Sequence, residues 1–240
     1  MYDRVILLKI SLQIKASFSE AHFRCHYTEV NPLSYPIPLP PTVLGMFGAL
    51  LGWNREEIME KAGNHQFGAK LLNLCGVTRE FARIIQFKEG KPKFPFPIEN
   101  FELLVKPSYI LAIAGEEELI RDYYTRLKRG YLYLPYGGRN DFFLEDVETL
   151  GFQEVALTRE VESYAPSNWV TSLSSQSEGW VRGLQVMHKI DSASKWFYFA
   201  YKTTLKLDRE LLATADGVTL YPIKWFHYGK PIREHYGKSV

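Results

Sequence analysis

From Ile6 to Phe18 every even position is apolar (Ile6, Leu8, Ile10, Leu12, Ile14, Ala16, Phe18), while Lys9, Ser11, Gln13, Lys15 and Ser17 fill odd ones. A period of two over this length predicts a long half-buried strand. Beyond Ser19-Glu20 the parity reverses: Ala21, Phe23 and Cys25 become the apolar set, with His22, Arg24 and His26 opposite. A bulge or bend near Ser19 accounts for the switch. Residues 27–41 hold five prolines, which exclude helix and central strand, so an extended loop is expected. Pro41 suits a first helical turn, and Thr42 to Leu51 has apolar residues on both helical faces, with Gly45 and Gly48 inside and Gly52 behind. Interior glycines each cost about 1 kcal/mol relative to alanine, so something should pack closely there. Asn54 and Glu57 have the spacing of a capping box for a short polar helix, NREEIMEKAG.

Val77 to Lys88 and Phe101 to Ala114 are β-rich runs joined by KEGKPKFPFPIEN, a hairpin connection longer than a tight turn. Glu116 to Arg129 is amphipathic, acidic at its start and basic at its end, as the helix dipole prefers. Tyr131 to Tyr136 reads as one more strand before Gly137-Gly138. The order strand, helix, strand, strand, helix, strand is the split βαβ plan, so the expected fold is α+β: a ferredoxin-like βαββαβ core over residues 1–150. From Gly151 the pattern is strands alone, as in the alternating Phe197, Phe199, Tyr201, Leu205 and Leu207, so residues 151–240 are expected to form an appended β-rich subdomain.

Composition narrows the function classes. With 46% hydrophobic and 23% charged residues the chain can bury a core, and disorder is excluded. Lys and Arg total 29 against 27 Asp and Glu, so a nucleic-acid site must come from where the bases lie rather than from their number. Cys25 and Cys75 are the only cysteines, without a CxxC pair, which implies a reduced cytoplasmic setting and no zinc site. No apolar run approaches a signal-peptide core or a membrane span.

Candidate chemistry gathers between Ala21 and Leu51. There a strand displaying His22, Arg24 and His26 runs into the proline-rich loop and then a helix start, whose Thr42 and Val43 N–H groups are expected to be free for a phosphate. The plainer alternative is a stiff loop with glycines that let the helix lie close to the sheet. His22 and His26 lie about 13 Å apart along a strand, with Cys25 facing the other way, which argues against joint metal binding. Metal-free RNA cleavage by His22, His26, Tyr27 or Tyr35 is a second option. In the hairpin, Lys88, Lys91 and Lys93 precede Phe94 and Phe96, interleaving charge with rings as single-stranded nucleic-acid surfaces do, although the same rings would also serve to pack on a neighbouring domain. The first strand's open face offers Lys9, Ser11, Gln13 and Lys15 rather than stacking aromatics, so loops and edges should carry any RNA contact.

Three segments resemble the fifth Cas subunit (Cas-five) of type I CRISPR Cascade complexes, within the repeat-associated RAMP superfamily. They are AHFR (Ala21 to Arg24), SYPIPLPPTVLGMFGALLGW (Ser34 to Trp53) followed by NREE, and LPYGGRNDFF (Leu134 to Phe143). The middle one is the most specific, and together they span roughly the first 150 residues in the family's order. The resemblance implies a subunit that grips the five-prime handle of the CRISPR RNA, Arg139 among its contacts, and caps a backbone of Cas-seven subunits. A hairpin thumb would lie at Lys88 to Phe101, and the further partner would be the large Cascade subunit. It implies no cofactor, no metal and no membrane. The type I-C branch cuts precursor RNA with a set that includes an adjacent Lys-His pair. This sequence has Lys106-Pro107 in that neighbourhood and only the reversed His188-Lys189 elsewhere, so a non-catalytic role is expected, and the proline-rich segment resembles type I-A or I-B relatives more closely. The alternatives are a metal-independent endoribonuclease and a ferredoxin-like protein-interaction module without RNA.

Overall fold

The alternation at the start of the chain produces β1 (Ile10–Phe18), which lies in the middle of an eight-stranded sheet. The computed structural model describes residues 10–28, 31–83, 87–88, 91–92 and 98–226. After β1 come α1 (Pro40–Leu51), α2 (Arg55–Asn64), β2 (Gln66–Asn73), β3 (Gly76–Arg83), β4 (Ile98–Val105), β5 (Ser108–Gly115) and α3 (Glu117–Arg129). Three long strands follow: β6 (Leu144–Val161), β7 (Val170–Gln185) and β8 (Trp196–Thr214). The main sheet runs Tyr164–Pro166, β8, β6, β1, β5, β2, Tyr221–Pro222, with β7 paired to β8 and every pair antiparallel. A second sheet joins Glu20–Ala21, β4 and β3.

One face of the main sheet carries the helices. Leu12, Ile14 and Ala16 of β1 share a buried cluster with Val43, Phe47 and Leu50 of α1 and with Ile120, Tyr123 and Leu127 of α3. Side chains such as Phe47, fully buried, each contribute about 1.5–3 kcal/mol through burial. The capping box forms in both directions, Glu57 N–H to Asn54 Oδ1 at 2.9 Å and Asn54 N–H to Glu57 Oε2 at 2.8 Å. Of the two interior glycines of α1, Gly48 explains itself: a Cβ there would lie 3.1 Å from Ile58 of α2, whereas Gly45 has open space around it.

The expected open face of β1 is closed at Ser11 and Gln13, while Lys15 is half-buried and Lys9 lies outside the described residues. Ser11 and Gln13 are buried, and Gln13 Nε2 donates to Thr214 Oγ1 at 3.3 Å and Asp216 Oδ1 at 2.9 Å. On the same face Ile110, Ala112 and Ala114 pack with Val218 and Leu220, so the chain that follows β8 covers the sheet's second side.

Two expectations about strands are corrected, and one strand is added. Tyr131 to Tyr136 is not a strand; only an isolated bridge joins Tyr136 to Phe143, and β6 is the strand that pairs with β1. The run Phe101 to Ala114 is broken at Lys106-Pro107, where Lys106 has φ 46° and the chain passes from one sheet to the other. β2, whose Phe67, Ala69 and Leu71 alternate over a short run, carries Gly68 on its other face; the glycine serves close packing, since a Cβ there would collide with the Thr219 carbonyl. β6 itself pairs with β1 through Glu154 and with β8 from Val155 onward, so the boundary expected at 150/151 falls inside a strand.

Candidate nucleic-acid interface

At Ser19 the chain leaves the main sheet, as the parity reversal implied: Glu20–Ala21 pairs with Val105 and Leu104 of β4, and Phe23–Arg24 pairs with Ser34–Tyr35. Ala21, Phe23 and Cys25 are buried and Arg24 is exposed. Burial pushes the Cys25 thiol up to about 12, which makes it a packing residue and not a nucleophile. His22, Arg24, His26, Tyr35 and Thr42 line one cleft of about 360 Å³, and Phe101, Gly138 and Arg139 close it from the other side.

Arg139 reaches this cleft because of two glycines. His22 N–H donates to the Gly137 carbonyl at 2.7 Å, so the 136–143 loop lies directly on the 20–22 segment. A Cβ at Gly137 would sit 2.5 Å from the Glu20 carbonyl oxygen, and one at Gly138, where φ is +94°, would collide with the carbonyl oxygen of His22. The Arg139 guanidinium lies over the rings of Phe101 (4.9 Å) and Phe142 (5.1 Å) and pairs with Asp141 at 2.9 Å. Its Nη1 has no hydrogen-bond partner among the described residues. Arg24 extends into solvent, with Nη2 3.5 Å from the Thr28 carbonyl.

The two histidines differ in setting but agree in charge. His22 is 3% exposed, with Nδ1 2.8 Å from the Glu102 carbonyl. A carbonyl only accepts, so Nδ1 carries the proton and Nε2 is an acceptor. Burial lowers the His22 pKa against the raising effect of that hydrogen bond, and the charges of Arg139 and Arg24 lower it further. Burial and the Arg24 charge also lower the His26 pKa. His26 Nδ1 lies 3.4 Å from the Tyr35 hydroxyl, which donates to the Gln185 carbonyl at 2.7 Å. Tyr27 is exposed beside the cleft and is not among its walls.

One expected contact fails on its premise. Leu39 is the N-cap of α1, and its carbonyl accepts from both Thr42 N–H (2.9 Å) and Val43 N–H (3.1 Å). Pro40 and Pro41 have no N–H to offer, so the helix start lacks the free donors that an anion would need. Thr42 still lines the cleft, while Val43 is fully buried in the core.

The thumb expected at Lys88 to Phe101 lies in part outside the described residues, and what the structure describes is the β3–β4 hairpin. β3 and β4 pair from Gly76 with Val105 to Arg83 with Ile98, and Lys88 pairs with Lys91 further out. Val77, Phe81 and Ile98 are exposed on it, as are Arg79, Arg83 and Lys91. Lys93, Phe94, Phe96 and the Lys88 side chain lie outside the described residues. Sequence reasoning missed Phe101, which walls the cleft, and the Glu102–Arg182 pair beneath it. Arg182 grips the buried Glu102 carboxylate at 2.7 and 3.1 Å, and Glu102 Oε1 also accepts from Ser34 N–H at 3.2 Å. No short-range pattern announces a pair separated by 80 residues. Among the described residues no group of three His, Cys, Asp or Glu could hold a metal, and no helix is long and apolar enough to cross a membrane.

No protein-family model and no curated protein matches the chain. Several solved structures are similar at low identity. One belongs to a CRISPR RNA-guided surveillance complex, with 16% identity, TM-score 0.48, 85% of this chain covered and 90% of that one. Another is a CRISPR protein from Archaeoglobus fulgidus, with 11% identity, TM-score 0.47 and coverage of 88% and 98%. A third comes from the type III-B Cmr-beta complex bound to cognate target RNA and AMPPnP, with 13% identity, TM-score 0.40 and coverage of 82% and 86%.

Proposed function

We propose that the chain is a non-catalytic RNA-binding subunit of a type I CRISPR surveillance complex, of the Cas-five kind, in which the cleft holds part of the five-prime handle of the CRISPR RNA. The observation that carries this reading is the cleft itself: the strand segment of His22, Arg24 and His26, the start of α1 at Thr42 and the distant loop of Arg139 come to one opening. Two of those segments, AHFR and LPYGGRNDFF, and the Pro-rich approach to α1 are the motifs that resemble the family. Arginines suit a phosphodiester because each offers paired donors with a fixed charge. In this reading β6, β1, β5 and β2 are the fourth, first, third and second strands of a ferredoxin-like βαββαβ core, with α1 and α2 in the first crossover and α3 in the second. The β3–β4 hairpin is the thumb, and the Cas-seven backbone and the large subunit are the protein partners.

The endoribonuclease reading has less support. Metal-free cleavage needs an acid beside a base, and burial lowers the pKa of both His22 and His26, so near neutral pH both are bases and the acid would have to be a tyrosine hydroxyl such as that of Tyr35, which is spent on the Gln185 carbonyl. Incubation of the purified protein with its cognate repeat RNA, with and without chelator, separates the readings. Retention of intact RNA is expected; a discrete product that persists in chelator would establish cleavage instead, and no retention at all would leave a protein-interaction module.

A further inference from the structure

His22 carries a buried nitrogen for which the described residues supply no partner, in the wall of a cleft that Arg24 and Arg139 also line. The ring is 3% exposed, its Nδ1–H is spent on the Glu102 carbonyl, and Phe101 holds it edge-on with centroids 5.4 Å apart. Nε2 is therefore a fixed acceptor, and among the described residues nothing donates to it. Buried polar atoms are nearly always paired, so a persistent exception in a cleft wall marks where a ligand donor belongs.

The neighbours say which donor. Arg24 and Arg139 line the same cleft of about 360 Å³ as His22, so acceptor and cations share one small space. In RNA the 2′-hydroxyl sits on the carbon next to the one that bears the 3′-phosphate, so a donor and an anion arrive together as one rigid unit. DNA offers the phosphate without the donor. We infer that the cleft selects RNA over DNA by seating one ribose 2′-hydroxyl on His22 Nε2, with the adjoining phosphate held by Arg24 and Arg139. This rests on the reading that the cleft holds RNA. Nε2 itself is buried, so seating the hydroxyl on it requires a side chain of the cleft wall to move. Arg139 is held here by ring contacts and the exposed Asp141, so meeting the phosphate requires it to turn from Phe101.

The test is a binding titration of the unaltered protein with a short single-stranded RNA of mixed sequence, its all-deoxy counterpart, and a series with 2′-deoxy or 2′-fluoro at one position at a time. One position should cost about five- to tenfold in affinity, the worth of one hydrogen bond, for both replacements, since fluorine keeps the size but cannot donate. His22→Phe, which keeps a ring against Phe101, should bind the whole series equally. Because the ligand scan needs no variant, it decides the matter even if His22→Phe fails to fold. Equal affinity for RNA and its deoxy counterpart would overturn the inference while leaving nucleic-acid binding intact. A loss that follows base identity instead of the 2′ group would assign Nε2 to a base and overturn it as well. Binding of neither polymer would remove the RNA reading and the inference together.

Discussion

Arg24 and Arg139 bring the same charge to the cleft at different structural cost. Arg24 is exposed and held by one long hydrogen bond, so Arg24→Ala should change folding stability by no more than about 0.5 kcal/mol, as an ordinary surface substitution does. If its guanidinium meets the RNA backbone, the same variant should flatten log affinity against log salt by roughly 0.7, the single-strand value for one phosphate contact. An unchanged slope would mean that the RNA passes elsewhere. Arg139 is stacked between two rings, and Arg139→Ala should lose about 1–2 kcal/mol of stability along with affinity, measurable by denaturant titration. His65 makes a prediction of another kind. Burial lowers its pKa to about 4, and it is held by the Lys61 carbonyl at 3.2 Å and the Tyr123 hydroxyl at 3.3 Å. The unfolded chain takes up a proton near pH 6.5 that the native protein refuses until about pH 4, so this contribution is complete above pH 6.5 and lost as pH falls toward 4. Urea unfolding at pH 7.5 and 4.5 should show about 2–3 kcal/mol of loss from this group, absent in His65→Phe. An equal loss in both proteins would assign the acid sensitivity to other groups.

At the level of elements, the bond between Arg182 of β7 and Glu102 of β4 holds the cleft to the C-terminal strands. Glu102 is 7% exposed and Arg182 is partly open to solvent, so Arg182→Ala strands a buried carboxylate and should cost roughly 2–3 kcal/mol. Glu102→Gln in the same background should recover most of that loss; no recovery would show that packing, not charge, was removed. This pair marks the boundary of what the sequence makes legible. Local signals served where local physics decides: the alternation of β1, the bend at Ser19, the capping box at Asn54 and the acidic-to-basic gradient of α3 all appear where they were read. The reading failed where distant chain decides. The polar positions Ser11 and Gln13 looked solvent-facing because their partners lie far along the chain, the Gln153 carbonyl for Ser11 and Thr214 and Asp216 for Gln13. Tyr131–Tyr136 has strand composition, yet Leu132 N–H and Tyr133 N–H are taken by the carbonyls of Leu50 and Ala49, which fastens the segment to the end of α1 instead of to a sheet. In the cleft, His22, Arg24, His26 and Thr42 were readable as neighbours along one stretch, whereas Phe101 joins them only through the pairing of β4 with Glu20–Ala21.

At the scale of the molecule, the question is whether the β-rich C-terminal part is a separate body. A strand that belongs to two sheets' worth of partners argues that it is not: β6 bonds to β1 along one stretch and to β8 along the next without a break, and Val218 and Leu220 return to cover Ile110, Ala112 and Ala114 of β5. Cutting the chain at residue 150 would therefore divide β6 and uncover Gln13, whose amide would lose Thr214 and Asp216. Such a fragment should not fold, while the whole chain should melt in one transition, with the calorimetric enthalpy equal to the van't Hoff value and with far-ultraviolet and tryptophan signals coincident. Trp53 reports on α1 and Trp169 on the C-terminal strands, so the probes sample both parts. Two resolved transitions, or a soluble, cooperatively folding piece ending at residue 150, would show that the seam along β6 is weak and that the Glu102–Arg182 bridge joins two bodies able to move apart.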